Sequence, residues 1–358
     1  MKKFRFVVAA LATASMVGAS LFLAAPISAH GIAHHVTAKK VITVGLVTDK
    51  GGLNDKSFNH LADVGLTRAE KQLKIKGAVL QSHTAGDYQP NLTKFAQQKK
   101  SLIIAVGFLM ENALYNVAKQ YPKEHFAIVD GAPANSKGQN VNLPNVANLF
   151  FKPEQSGYLV GVIAGLLEKN HKGPPGKDHN TVASIAGANF LAVTAYNCGY
   201  QEGVWSVDPK AKVLIAFDDG TFQNTANAKA IGQKQISQGA DILFQVDGGA
   251  GLGYLQAAEE AHKYGIGVDA DQDYLSPWII TSALKKVDQA VYVTIKRLVS
   301  GGFHAGNNIF DLKNKATGYA TDTHHVPASI KSKVKKIAKE IKSGKIKVKA
   351  TCTLGKKK

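Results

Sequence analysis

The chain has 358 residues, 45% of them hydrophobic and 20% charged, with 34 glycines and 11 prolines, which allows two packed lobes and excludes a disordered or collagen-like chain. The formal net charge of +18 suggests a phosphate-rich partner until it is located: residues 331–358 hold twelve lysines against the single acid Glu340 and carry +11, Lys2, Lys3 and Arg5 carry +3, and +4 is left for the body between them. A body so close to neutral lacks the basic face that nucleic-acid binding requires.

Behind Lys2, Lys3 and Arg5, the nineteen residues from Val7 to Ala25 carry no charge and run into small residues up to Ala29. Residues 1–33 therefore read as a secretory signal with cleavage near Ala29, Gly31 or Ala33. The alternative is an uncleaved anchor, since nineteen uncharged residues can just cross a bilayer. Either way the body is expected at the outer face of the cytoplasmic membrane or the cell surface. No cysteine lies between residues 15 and 35, so lipid anchoring behind the signal is not expected. The two cysteines are Cys198, inside a predicted helix, and Cys352, in the terminal tail. Two unpaired thiols are favoured over one disulfide, although export permits the bond.

From residue 41 short apolar runs alternate with helical-length amphipathic segments, the signature of parallel sheets with crossover helices. Strands are expected at Val41–Val47, Ala78–Leu80, Leu102–Val106 and Phe126–Val129, with a helix starting near Phe58. They end at or just before Asp49, Ser82, Gly107 and Asp130, where an open parallel sheet presents its ligand site. After a helix over Glu154–Glu168 and a polar loop over 170–180, a second series follows. Its strands are Val182–Ile185, Val213–Phe217, Ile242–Val246 and Ile266–Val268, with helices starting near Phe190, Gln223 and Leu252. Two such series imply an α/β chain of two lobes with the ligand cleft between them. A helix over Val287–Leu298 follows, then a last helix in which Ile330, Val334, Ile337 and Ile341 form one apolar stripe opposite lysines. That helix is expected to dock on a sheet with its lysine face in solvent, where the same charges could adhere to an anionic cell envelope.

No G-x-S-x-G, H-E-x-x-H, Walker A or C-x-x-C motif occurs, and Gly248–Gly253 does not match G-x-G-x-x-G, so no catalytic residue, metal site or dinucleotide cofactor is assigned. The informative stretch is Val47–Asn59, a strand running through a glycine turn into a helix start that carries Asp55, Ser57, Phe58 and Asn59. Asp55 and Ser57 are expected to cap that helix. Phe58 beside Asn59 suits a flat heterocycle that needs stacking and edge hydrogen bonds.

Seven segments in order, among them Asp55-Lys-Ser-Phe-Asn59, Phe126-Ala-Ile-Val-Asp130, Glu154-Gln-Ser-Gly-Tyr-Leu-Val-Gly161, Gly267-Val-Asp-Ala-Asp-Gln272 and Thr281-Ser-Ala-Leu-Lys285, resemble the basic membrane protein family of ABC-transporter substrate-binding proteins, the purine nucleoside receptor-type lipoproteins. The resemblance spans roughly residues 41–300. It implies a two-lobed type I periplasmic-binding-protein-like fold. Residues 34–150 and 284–312 would form the N-terminal lobe, 151–283 and 313–342 the C-terminal lobe, and 343–358 a basic tail. By position it implies that Phe58 stacks on a nucleobase while Asn59 and Asp49 hold its edge. Tyr196, where phenylalanine is usual, would supply the second ring, and Asp130, Gly248, Gly249, Asp269 and Lys285 would hold the ribose. Carboxylates and a lysine do suit an uncharged polyol, whereas Asp49, Asp130 and Asp269 against Lys285 alone would repel a phosphate. The implied partners are a nucleoside, purine preferred, or a similar small polar ligand, a permease and an ATPase. Two rival readings are an envelope-bound adhesin using the basic tail, which the missing lipid-anchor cysteine favours, and a nucleoside-cleaving enzyme using Asp49 and Asp130, which no nucleophile motif supports.

Overall fold

In the computed structural model, residues 41–170, 179–321 and 325–357 are described; the expected secretory signal at 1–33 and residues 171–178 of the polar loop lie outside them. The first series of elements is β1 (Thr43–Val47), α1 (Phe58–Leu73), β2 (Lys76–Leu80), α2 (Tyr88–Gln97), β3 (Leu102–Val106), α3 (Glu111–Gln120), β4 (Phe126–Val129) and β5 (Val146–Phe151). The second is α4 (Pro153–Lys169), β6 (Thr181–Ala186), α5 (Leu191–Val207), β7 (Lys212–Phe217), α6 (Thr225–Ser237), β8 (Ile242–Val246), α7 (Gly251–Glu260), β9 (Tyr264–Asp269) and β10 (Ile279–Lys285). Then come α8 (Val287–Val299), β11 (Gly306–Phe310), β12 (Thr317–Tyr319) and α9 (Ala328–Ser343).

The strands form two six-stranded sheets, ordered β11-β5-β4-β3-β1-β2 and β12-β10-β9-β8-β6-β7. All pairings are parallel except β10 with β12. Central strands such as β3, Leu-Ile-Ile-Ala-Val, are buried at every residue because helices cover both faces. Four strands carry no uninterrupted apolar run and escape a periodicity search. In β5 the break is Asn148, whose side chain donates to Asn307 Oδ1 of β11 at 2.9 Å. In β10 it is Thr281 and Ser282; Thr281 Oγ1 donates to Ala320 O at 2.9 Å, and Ser282 Oγ accepts from Gln272 N at 3.0 Å. The polar β11 and the three-residue β12 are added only by pairing with these neighbours.

The chain passes between the sheets after β5, after β10 and between β11 and β12. These connections are laced together, with Lys152 N donating to Phe310 O at 2.9 Å and Lys286 N to Ala316 O at 2.8 Å. Among the described residues no helix is long and apolar enough to cross a membrane.

Helices α4 and α5 pack closely because glycines face backbone. A Cβ on Gly157 would stand 2.1 Å from Tyr196 O, and one on Gly199 2.1 Å from Glu154 O. Apolar on nearly every side, both helices are buried, and this contact sets the height of Tyr196 in the second lobe. The last helix carries its stripe as expected, with Ile330, Val334, Ile337 and Ile341 buried.

Cys198 and Cys352 are joined in a disulfide, which corrects the expectation of two free thiols. The reason is the path of the tail, which returns along α5 over Cys198, Gln201, Glu202 and Trp205, one helical stripe at i, i+3, i+4 and i+7. Gln201 donates to Thr353 O at 3.1 Å and accepts from Gly355 N at 2.9 Å, holding Cys352 over Cys198.

Candidate functional site: a cleft between two sheets

Strand order reverses at β1/β3 in one sheet and at β6/β8 in the other, and the carboxyl ends of these strands face a common cleft. Its cavity volume is about 60 Å³. All nine residues singled out from the sequence line it: Asp49, Phe58, Asn59, Asp130, Tyr196, Gly248, Gly249, Asp269 and Lys285.

The first-lobe wall is organised by Asp55. Its carboxylate accepts from Ser57 N at 3.0 Å, Asn59 N at 2.7 Å and His60 N at 3.1 Å, satisfying the free N–H groups at the start of α1. The capping expected of Asp55 is therefore present, but Ser57 makes no cap. Its hydroxyl instead donates across the cleft to Asp269 Oδ2 at 2.9 Å. Capping fixes Asn59, whose Nδ2 donates to Asp49 Oδ1 at 2.7 Å while its Oδ1 accepts from Asp49 N at 3.1 Å. Gly51 N gives Asp49 Oδ1 a second donor at 2.8 Å. Burial pushes the Asp49 pKa up to about 6 despite these donors. Asp49 Oδ2 lies 3.1 Å, and the Phe58 ring 3.2 Å, from where a Cβ on Gly107 would stand. With φ at +115°, that position takes glycine for two reasons: the backbone conformation, and the space between carboxylate and ring.

On the second-lobe side the centre is Lys285, the last residue of β10. Its Nζ is 2.6 Å from Asp130 Oδ2 and 3.2 Å from Asp269 Oδ1, with all three side chains buried, so one ammonium ties the two lobes. Burial is the largest influence on Lys285 and disfavours its charge, but the two carboxylates outweigh it and its pKa is raised. Asp130 is raised by burial, with Lys285 pulling the other way. The ammonium also lies 4.5 Å over the Phe58 ring centroid. Asp130 and Asp269 both adopt left-handed backbone, φ 58° and 61°, which aspartate tolerates better than most side chains and which turns each carboxylate off its strand end. Gln272 Nε2 to Lys56 O at 3.2 Å and a Gln223 to Lys50 O bond also join the lobes at the rim.

Tyr196 lines the cleft but is only 1% exposed; its hydroxyl donates to Asp269 Oδ1 at 2.8 Å, orienting that carboxylate, and its ring packs edge-on against Phe244. The half-buried aromatic that lines the cleft from the second lobe is Phe222, which the sequence reading passed over. Its φ of +62° is unusual for a bulky residue, and its carbonyl accepts from Ala250 N at 3.0 Å beside Gly248 and Gly249. An aromatic directly after the Asp-Gly-Thr turn at 219–221, ahead of a helix, was the available signal. Phe108, 6.2 Å from Phe222 and edge-on to it, and Asp247 also line the cleft. Gly249 closes against Asp55 from the other side, a Cβ there standing 3.7 Å from Asp55 Cα. Five aspartates face one lysine in this cleft, and among the described residues no cluster of His, Cys, Asp or Glu could hold a metal ion.

Two linked sheets enclosing a polar, aromatic-lined cleft at their switch points define a type I periplasmic-binding-protein-like solute receptor. A solved solute-binding protein of an ABC transporter system from Aeropyrum pernix superposes with a TM-score of 0.75 at 25% identity, over 86% of this chain and 92% of that one. Residues 42–351 match the Bmp family, described as ABC transporter substrate-binding protein PnrA-like, and the chain belongs to that family. Relatives include the ABC transporter nucleoside-binding protein BmpA of Lactococcus lactis subsp. cremoris, 31% identical over 87% of this chain and 90% of that protein. The CD4+ T-cell-stimulating antigen of Listeria monocytogenes is 30% identical over 87% of this chain and 89% of that protein.

Proposed function

We propose that this protein captures a neutral nucleoside, purine preferred, outside the cytoplasmic membrane and delivers it to the permease of an ATPase-driven importer. The observation that carries this reading is the pairing, across one cleft, of an aromatic–carboxamide–carboxylate wall with a carboxylate–lysine wall. Phe58 and Phe222 take the two faces of the base, and Asp49 with Asn59 takes its edge. Asp130, Asp269 and Lys285 receive the ribose hydroxyls, while Gly248 and Gly249 bring backbone close to the ligand. The two sheets with their helices move as the two lobes, the second taking in all of β10 with Lys285 rather than ending at residue 283, and they hinge at the three laced connections. The name of the lactococcal relative supports a nucleoside as the ligand. The excess of aspartates favours a nucleoside over a nucleotide, because a phosphate would meet net negative charge. Stacking contributes about 1–3 kcal/mol per base face, so two faces and the ribose bonds account for micromolar affinity, about −8 kcal/mol.

Titration calorimetry of the protein, unfolded and refolded to strip carried-over ligand, tests this against adenosine, guanosine, inosine, cytidine and uridine, with ribose and AMP as controls. At least one nucleoside is expected to bind at micromolar Kd or tighter, and Phe58→Ala to weaken it by about tenfold to a hundredfold. Binding of none, or of AMP as tightly as adenosine, overturns the reading. No bond of the ligand is broken in it, so free base released from inosine would also contradict it.

A further inference from the structure

The second lobe sends into the cleft a carboxyl that nothing in the first lobe answers. Asp247 follows β8, is 0% exposed and lines the cavity. Its backbone is satisfied, with its N–H donating to Gln245 Oε1 at 3.0 Å and its carbonyl accepting from Gly251 N at 3.1 Å. Among the described residues neither side-chain oxygen accepts a bond from an N–H or O–H donor. Lys285, the cation of the cleft, is spent on Asp130 and Asp269. Within hydrogen-bonding reach is instead another acid, Asp218, whose own Oδ2 is buried and unpartnered, with Asp219 nearby. Burial first, and then Asp218 and Asp219, push the Asp247 pKa up to about 9, so at neutral pH Asp247 carries a proton and keeps its carbonyl oxygen as an acceptor. Acceptor lone pairs left over in such a buried pair are costly unless a donor arrives.

Where that donor would come from follows from Phe222. The Asp247 Oδ1 and Phe222 Cε1 atoms lie 2.3 and 2.4 Å from the same point, the place a Cβ on Gly187 would occupy. The carboxyl therefore stands close to the edge of the Phe222 ring, and a flat base stacked on Phe222 as proposed above would bring its substituents near that carboxyl. The groups suited to a sugar are engaged with one another through Lys285.

Resting on the nucleoside reading above, we infer that Asp247 selects the base: it accepts a hydrogen bond from an exocyclic amine, so the cleft prefers amine-bearing nucleosides to counterparts that lack only that amine. Two pairs isolate the amine, adenosine with purine riboside and guanosine with inosine. Calorimetry on the full refolded chain is expected to favour the amine-bearing member of at least one pair by about tenfold or more. Asp247→Leu and Asp247→Ala, which remove the acceptor with and without preserving bulk, should reduce that preference to within about twofold. Either variant suffices once its melting curve shows it folded. Equal binding of both members by the unaltered protein, or a preference that persists in the variants, overturns the inference while the nucleoside reading stands. Failure of all four purine nucleosides overturns the inference, and failure of cytidine and uridine as well overturns the nucleoside reading too.

Discussion

Replacing Lys285 by methionine tests the account of the cleft at its most charged point. The ammonium lies 2.6 and 3.2 Å from two buried carboxylates, and the side chains of Lys285 and Asp130 are each 5% exposed. At an effective dielectric of 20 one such close contact is worth about 4 kcal/mol, but desolvating each ion costs several kcal/mol, so the intact cluster is close to balanced. Removing the cation alone leaves Asp130 and Asp269 facing each other away from water. That should cost about 3–5 kcal/mol of a total stability of about 5–15 kcal/mol. The loss should also depend on pH. Without the lysine, the folded state holds a proton on this pair more tightly than the unfolded chain does, so stability falls as pH rises, and the deficit is larger at pH 8 than at pH 5. In the unaltered protein Lys285 has its pKa raised above the ordinary 10.5, so its contribution is complete throughout that range and is lost as pH rises from the ordinary value through the raised one. Urea unfolding at pH 5, 6.5 and 8 measures both effects. Combining Lys285→Met with Asp130→Asn and Asp269→Asn should recover most of the loss, since no charge is then stranded. A deficit under about 1 kcal/mol, or one equal at pH 5 and pH 8, would refute the reasoning.

Three further outcomes follow from other parts of the molecule. With its pKa near 6, Asp49 must lose a proton below that pH to accept from a base, so nucleoside affinity should drop by roughly tenfold from pH 7 to pH 5, and calorimetry should find this slope missing in Asp49→Asn. Gly157→Val drives a side chain into Tyr196 O, 2.1 Å from its Cβ position, and should cost at least about 1–3 kcal/mol in chemical denaturation while displacing Tyr196 from Asp269. Cys198→Ser with Cys352→Ser opens a loop of 154 residues and should lower stability by about 2–5 kcal/mol, with the tail becoming accessible to protease.

Much of the site was legible because its determinants are local. Asp49 and Asp130 are found by asking which polar residues end apolar strands, and Phe58 and Asn59 by asking what starts the next helix, whereas Asp269 came with the family resemblance. Resemblance added Lys285, Gly248 and Gly249, which the fold brings to the same cleft. Ser57 and Asp55, two residues apart before one helix, are equivalent as caps on paper. Proximity to Asp269 in the other lobe draws the serine away. Phe222 was missed because an aromatic in left-handed backbone has no periodic signature, and Asp247 because nothing in its neighbours' order says that its carboxyl stays unpartnered.

Alternation of apolar runs and amphipathic stretches was enough for the α/β class and the two sheets, since each depends on burial within a short window. Which ring faces the ligand, which residue caps α1, and whether Cys352 meets Cys198 depend on segments far apart in the chain arriving at one place. The partner that decides Tyr196 is Asp269, 73 residues away, and the one that decides Ser57 is the same Asp269, 212 residues away. Side chains of near-equal local propensity are sorted by such long-range hydrogen bonds and by the space that glycines leave at helix crossings, and only the folded chain supplies either.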